Sequence, residues 1–126
     1  MPNPVPSDPV RDTARARIAA DLVGFATGLP PEAILAARNG PLPVSRARHL
    51  VMYLLSQAFA MSLAHIAGVV GRDRSTVAHG MRLVEDRREN PVFDAWVGAL
   101  EEALGAAPEP YAPPAVTPAV APDLAP

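Results

Sequence analysis

The chain contains neither cysteine nor lysine. Without cysteine there is no disulfide framework, no thiolate metal site and no thiol nucleophile. Without lysine the phosphate-loop ending Gly-Lys-Ser/Thr cannot be written, although Gly71-Arg-Asp-Arg-Ser-Thr76 has a loop-like composition. There is no His-Glu-x-x-His motif, and three isolated histidines make a poor metal site. The carboxylates are scattered, mostly near helix ends and in the last helix. No enzyme, no metal and no cofactor is expected. The N-terminus, Met1-Pro-Asn-Pro-Val-Pro-Ser-Asp-Pro9, lacks a basic cluster followed by an apolar run, so no signal peptide is expected.

Two other features need sorting before any function can be read. Residues 49–71 carry no formal charge, a stretch long enough to cross a bilayer. That stretch holds Ser56, Gln57, Ser62 and two histidines, however, and its large apolar residues fall into two sets around Ser62. Two buried helices of a small α-domain are expected instead, in a cytoplasmic protein with no membrane partner. The net charge of −2 is equally misleading. Residues 1–43 balance four arginines against four acids, residues 44–88 carry seven arginines against three acids, and residues 89–126 carry six acids and no base. The middle of the chain is basic, and every base in it is arginine.

With 126 residues the chain is sized for one domain. Of its sixteen prolines, four lie in residues 1–9 and seven in 105–126, leaving five inside. These ends are expected to be unpacked: a disordered Pro-rich segment 1–9 and a disordered Ala/Pro-rich tail 105–126, around a helical domain 10–104. The interior prolines fall where helices start or stop. A helix is predicted from about Val10 to Thr27, with Ile18, Leu22 and Phe25 on its inner face and Gly28 ending it. A short helix 32–37 follows, then a loop 38–43. Ser45 is the expected cap of a long helix whose stripe is Leu50, Tyr53, Leu54 and Gln57 or Ala58. Ser62 caps a short helix containing Leu63, Ile66, Ala67 and Val70, ended by Gly71. Ser75 or Thr76 caps the next, with Val77, Met81 and Val84 on one face. Asn90-Pro91 opens the last helix, with Phe93, Trp96, Val97, Leu100 and Leu104 in one stripe. No run alternates long enough for a strand, so the fold class is all-α.

The segment from Ser62 to His79 has a mechanical reading. A short helix ends at a glycine, a tight polar turn follows, and a second capped helix begins. That is the plan of a helix-turn-helix, whose second helix enters the major groove. Arg72, Asp73, Arg74, Ser75 and Thr76 cluster at the leading end, where base edges and phosphates would meet them. His79, Arg82 and Glu85 are left facing outward. The bland alternatives are a plain helix cap for Asp73 and a solvated surface charge for Arg74, while His65, on the first helix, reads as a packed or surface residue rather than a contact.

At this point the residues carry a family resemblance. The string Gly-Arg-Asp-Arg-Ser-Thr-Val-Ala-His-Gly-Met-Arg-Leu-Val-Glu, residues 71–85, resembles the signature Gly-Arg-Asp-His-Thr-Thr-Val of the C-terminal domain of the bacterial replication initiator DnaA. The run Val44-Ser-Arg-Ala-Arg-His-Leu-Val-Met-Tyr-Leu54 is similar to that family's Ala-Arg-x-Arg-Gln/His-x-Ala-Met-Tyr-Leu helix, and Ser62-Leu-Ala-His-Ile-Ala to its Ser-Leu-x-Glu-Ile-Gly segment. The likeness runs from about Ile18 to Leu104. It implies a small helical bundle that binds double-stranded DNA at initiator-type boxes. By the resemblance, Arg48 and His49 touch the DNA backbone and neighbouring bases. Asp73, Arg74, Ser75 and Thr76 read or anchor the major groove, and His79 contacts phosphate. Arg38 is the one candidate for the arginine that this family places in the minor groove. Arg46, Arg72 and Arg82 complete the basic set that can face phosphates and bases.

Two departures shape the expectation. The family's His after the Asp is Arg74 here, a longer side chain of fixed charge with a different preference at base edges. The basic loop has become Ala-Ala-Arg-Asn-Gly-Pro-Leu-Pro, with a single arginine. Neutralising roughly five phosphates would give a log–log salt slope near −4 to −5, and losing two loop arginines would remove up to about two units. The initiator's ATPase has no counterpart in the chain. The leading reading is therefore a stand-alone box binder that competes with or assists the initiator in replication initiation or transcription. Two others stand beside it: a helix-turn-helix regulator of an unrelated operator, and an adaptor whose acidic last helix and Pro-rich tail bind the initiator or a replication regulator.

Overall fold

A computed structural model describes residues 8–36 and 40–107, and among them every regular element is a helix. The order is α1 (Pro9–Thr27), α2 (Pro31–Ile34), α3 (Leu42–Phe59), α4 (Leu63–Val70), α5 (Arg74–Arg87) and α6 (Pro91–Ala106). Residues 1–7 and 108–126, in the two ends expected to be Pro-rich and disordered, lie outside the described residues, as does Arg38. The helix ends follow local chemistry. Asp8 accepts from the Arg11 amide, Ser62 from the His65 amide, and Asn90 from the amides of Val92 and Phe93. Gly28 and Gly71 end α1 and α4 in the left-handed conformation.

α3 is the hub. Leu50 to Leu55 are all buried, so this helix is apolar nearly all round and packs against each of the other five. Around it gather Ile34 of α2, Ile66 and Val70 of α4, Val77 and Val84 of α5, and Val97, Leu100 and Leu104 of α6. Full burial of one such aliphatic side chain stabilises by about 1.5–3 kcal/mol relative to exposure. At its C-terminus α3 turns through Ala60, which takes a left-handed φ of 51° while Met61 N–H donates to Leu55 O.

α1 differs from its predicted face. Phe25 is 90 % exposed, Ile18 and Leu22 are only partly buried, and the inner stripe is Ala16, Ala19, Ala20 and Val23. The periodicity of the large residues pointed one way, whereas close packing on α3 selects the small ones. α2 is also shorter than expected, and α3 starts earlier, with Pro41 as its cap and Pro43 in the first turn instead of a cap at Ser45. α6 continues to Ala106, two residues past the expected end at Leu104.

Arg88 locks the far end of α5 in place. Its guanidinium donates to Asp94 Oδ1 at 2.6 Å, to Tyr53 Oη at 3.0 Å and to Glu101 Oε1. These charge-assisted bonds join α3, α5 and α6 and hold the Arg88 pKa above its ordinary value, Asp94 contributing most.

Candidate nucleic-acid interface

α4 and α5 form the helix-turn-helix. The α5 cap is Asp73 rather than Ser75 or Thr76. Its Oδ1 accepts from the Thr76 amide at 2.7 Å and from Ser75 Oγ at 2.8 Å. These bonds hold the Asp73 carboxyl below the usual carboxylate range. The cap also orients the Ser75 hydroxyl, so Asp73 acts on the leading turn through its neighbours. Arg74, Ser75, Thr76, His79 and Arg82 are exposed, while Val77, Gly80 and Val84 are buried against the bundle. Spacings of three and four put Ser75, His79 and Arg82 on one outward face. The guanidiniums of Arg74, Arg82 and Arg46 have no hydrogen-bond or ion-pair partner among the described residues.

The other expected contacts lie deeper. Arg48 is 3 % exposed, and its Nε donates to Ile34 O at 2.8 Å and its Nη2 to Ala33 O at 3.3 Å. Arg72 is half-buried and reaches Val70 O at 3.4 Å and Ala36 O at 3.3 Å. Arg48 therefore binds carbonyls in the last turn of α2, and Arg72 one just beyond it. Burial, then the charge of Arg72, pushes the Arg48 pKa down. The resemblance assigned Arg48 to the DNA backbone; in this conformation its Nε and Nη2 are engaged by the carbonyls of Ile34 and Ala33. Arg38 follows two residues beyond Ala36, outside the described residues.

His49 is half-buried and sits against α5. An ideal Cβ added at Gly80 would come within 2.7 Å of His49 Cδ2. Gly80 therefore lets the imidazole and the α5 backbone approach closely. Burial, then the like charges of His79 and Arg48, pushes the His49 pKa down. The structure thus brings His49, His79, Thr76, Ser75, Arg74 and Arg82 to α5 and its immediate border, with Arg46 further along α3. Sequence reasoning overlooked Gly80 as a spacer and Arg87 as a neighbour of Arg46. A glycine inside an otherwise helical run was the available signal for the first; the second needs the fold. Among the described residues no group of three potential metal ligands occurs, and no helix is long and apolar enough to cross a membrane.

Comparison with known proteins gives this arrangement a family. The chain matches two solved structures with a TM-score of 0.67 and 28 % identity over 76 % of its length: a DNA replication initiation factor and the replication initiator DnaA bound to AMPPCP and single-stranded DNA. It spans only 30 % and 29 % of those chains. No protein of curated function matches it. The family model described as the bacterial DnaA protein helix-turn-helix matches residues 20–84, covering the end of α1, all of α2, α3 and α4, and most of α5. The chain belongs to the bacterial DnaA helix-turn-helix family.

Proposed function

We propose that this protein binds double-stranded DNA site-specifically, at boxes of the kind that replication initiators read, and modulates replication initiation or transcription by competing with or assisting the initiator. Residues 10–104 are the binding unit in this reading, and the partner is the DNA major groove. The observation that carries it is the leading turn of α5. A family helix-turn-helix there presents exposed Arg74, Ser75 and Thr76, with His79 one turn on, while Val77, Gly80 and Val84 fix the helix in the bundle. The Thr76 and Ser75 hydroxyls suit phosphate, and Arg74 offers a two-point match to guanine.

The burial of Arg48 revises the electrostatics. With Arg74 reading a base, Arg46 and Arg82, if each meets one phosphate, give a salt slope of about −2, shallower than composition suggested. A contribution from Arg38 in the minor groove would steepen it by about one unit. The test is fluorescence-anisotropy titration with box-containing and scrambled duplexes at several salt concentrations. Preference for the box, reduced by about 1–3 kcal/mol in Arg74→Ala, is the expected outcome. Equal affinity for both duplexes refutes site-specific reading. Genome-wide occupancy then separates initiator boxes from an unrelated operator.

A further inference from the structure

The surface at the far end of α5 from its leading turn enters the DNA-binding reading only through Arg46. Three adjoining hollows, of about 630, 400 and 240 Å³, open where α5 ends, α6 begins and α3 starts, and Arg87 lines all three. Their walls are Val92, Phe93 and Trp96 on one side and Leu42 and Leu83 on the other. Val92 is 80 % exposed and Leu42 is 61 % exposed. The Arg87 guanidinium carbon lies over the Phe93 ring, 4.1 Å from its centroid. Arg46 lies beside it, and neither arginine has an ion-pair partner among the described residues, although Asp86 lines the same hollows. Burial and the charge of Arg46 lower the Arg87 pKa, a sign that this pair lacks a compensating anion.

We propose that this groove docks the chain's own C-terminal segment, residues 108–126. The chemistry is complementary. That segment, Pro-Glu-Pro-Tyr-Ala-Pro-Pro-Ala-Val-Thr-Pro-Ala-Val-Ala-Pro-Asp-Leu-Ala-Pro, carries seven prolines, Tyr111, the acids Glu109 and Asp123, and no base. Proline-rich chains bind aromatic-lined grooves because their backbone is already restricted and loses little entropy on docking. A phosphate backbone would use the two arginines but would leave Val92, Phe93 and Trp96 without apolar cover. The reach is ample. The groove lies at the start of α6, about 24 Å from its end at 1.5 Å per residue. Residues 108–126 in polyproline form span up to about 59 Å at 3.1 Å each. A return along α6 therefore leaves the Asp123 end within range of Arg46 and Arg87.

Because the chain has no cysteine, a single nitroxide can be placed on the full-length protein at Ala119→Cys. In dilute, DNA-free solution the Val92, Phe93 and Trp96 amide signals and the Trp96 indole signal are expected to lose most of their intensity. Reducing the nitroxide restores them. Val92→Asp, at an exposed position, and Arg87→Glu should each abolish the loss while leaving the remaining amide spectrum in place. Broadening confined to the end of α6 overturns the proposal. So does broadening that appears only when labelled and isotope-enriched chains are mixed, which would make the occupant a second copy. Groove signals that respond to added duplex but not to the nitroxide would make the occupant DNA, and overturn it equally.

Discussion

Replacing Arg48 by alanine separates a structural arginine from a DNA-contacting one. The side chain is buried and donates to Ile34 O and Ala33 O. A hydrogen bond to a charged group contributes about 1.5–3 kcal/mol. Two of them give a gross gain of about 3–6 kcal/mol, from which desolvation of the guanidinium must be subtracted. The substitution also leaves a void in α3 and two carbonyls without these donors. A net loss of about 2–3 kcal/mol is expected, which lowers Tm by roughly 10–20 °C for a domain of this size. The assay is paired: urea and thermal unfolding followed by circular dichroism, and DNA titration well below the new Tm across a salt series. A buried guanidinium neutralises no phosphate, so the salt slope of the folded variant should match that of the parent. Arg48→Lys should recover part of the stability, because one ammonium can still reach a carbonyl but cannot reproduce the two-point geometry. An Arg48→Ala protein with unchanged Tm and a slope shallower by about one unit refutes the reasoning. Arg48 would then be a phosphate contact, as the family resemblance implied.

Three other perturbations probe the same framework. Gly80→Ala should lower both stability and DNA affinity, because the added Cβ meets the His49 ring at 2.7 Å; overpacking of about 1–3 kcal/mol outweighs or cancels the gain of about 1 kcal/mol in helix propensity. His49→Gln in the same chain should recover most of the loss, and failure to do so in unfolding titrations would exclude the clash as its cause. The pKa of His49 is lowered by folding, so the unfolded chain binds the proton more tightly and stability falls as pH drops below about 6.5. Urea midpoints measured from pH 7.5 to 5.5 should show that decline, and His49→Gln should flatten it. Ala60→Gly relieves a left-handed alanine and should raise stability by about 1 kcal/mol, read as a higher urea midpoint at unchanged m.

The parts of the fold legible in sequence were those governed by local rules. Gly28, Gly71, Ser62 and the pair Asn90-Pro91 mark helix ends because capping and left-handed turns depend on a few adjacent residues. The stripe of α5 was equally readable, since Val77 and Val84 repeat at helical spacing. The inner face of α1 was not. Its large apolar residues suggested one side, but proximity to α3 selects alanines, and nothing within α1 records how near its neighbour lies. The site divides the same way. Arg74, Ser75, Thr76 and His79 were placed by motif and stay exposed on α5. Arg48 and Arg72 look identical to Arg74 as letters. Their inward hydrogen bonds depend on α2 ending beneath α3, a juxtaposition of residues 12 or more apart. The cap illustrates a smaller ambiguity: Asp73, Ser75 and Thr76 are all good caps, and only the amide geometry at Thr76 decides among them.

The contact between Gly80 and His49 has an implication for how such a domain can diverge. With the imidazole this close to the bare backbone of α5, any side chain at position 80, or a shift of α5 toward the ring, would force His49 to move. Descendants of this protein that acquire a new DNA preference cannot do so cheaply by tilting the helix, because that would require Gly80 and His49 to change together. If α5 reads DNA as proposed, they can do so by exchanging the exposed side chains at Arg74, Thr76 and His79, which leaves Gly80 and His49 in place. A coupled pair inside and independent positions outside would make binding preference far easier to alter than docking geometry.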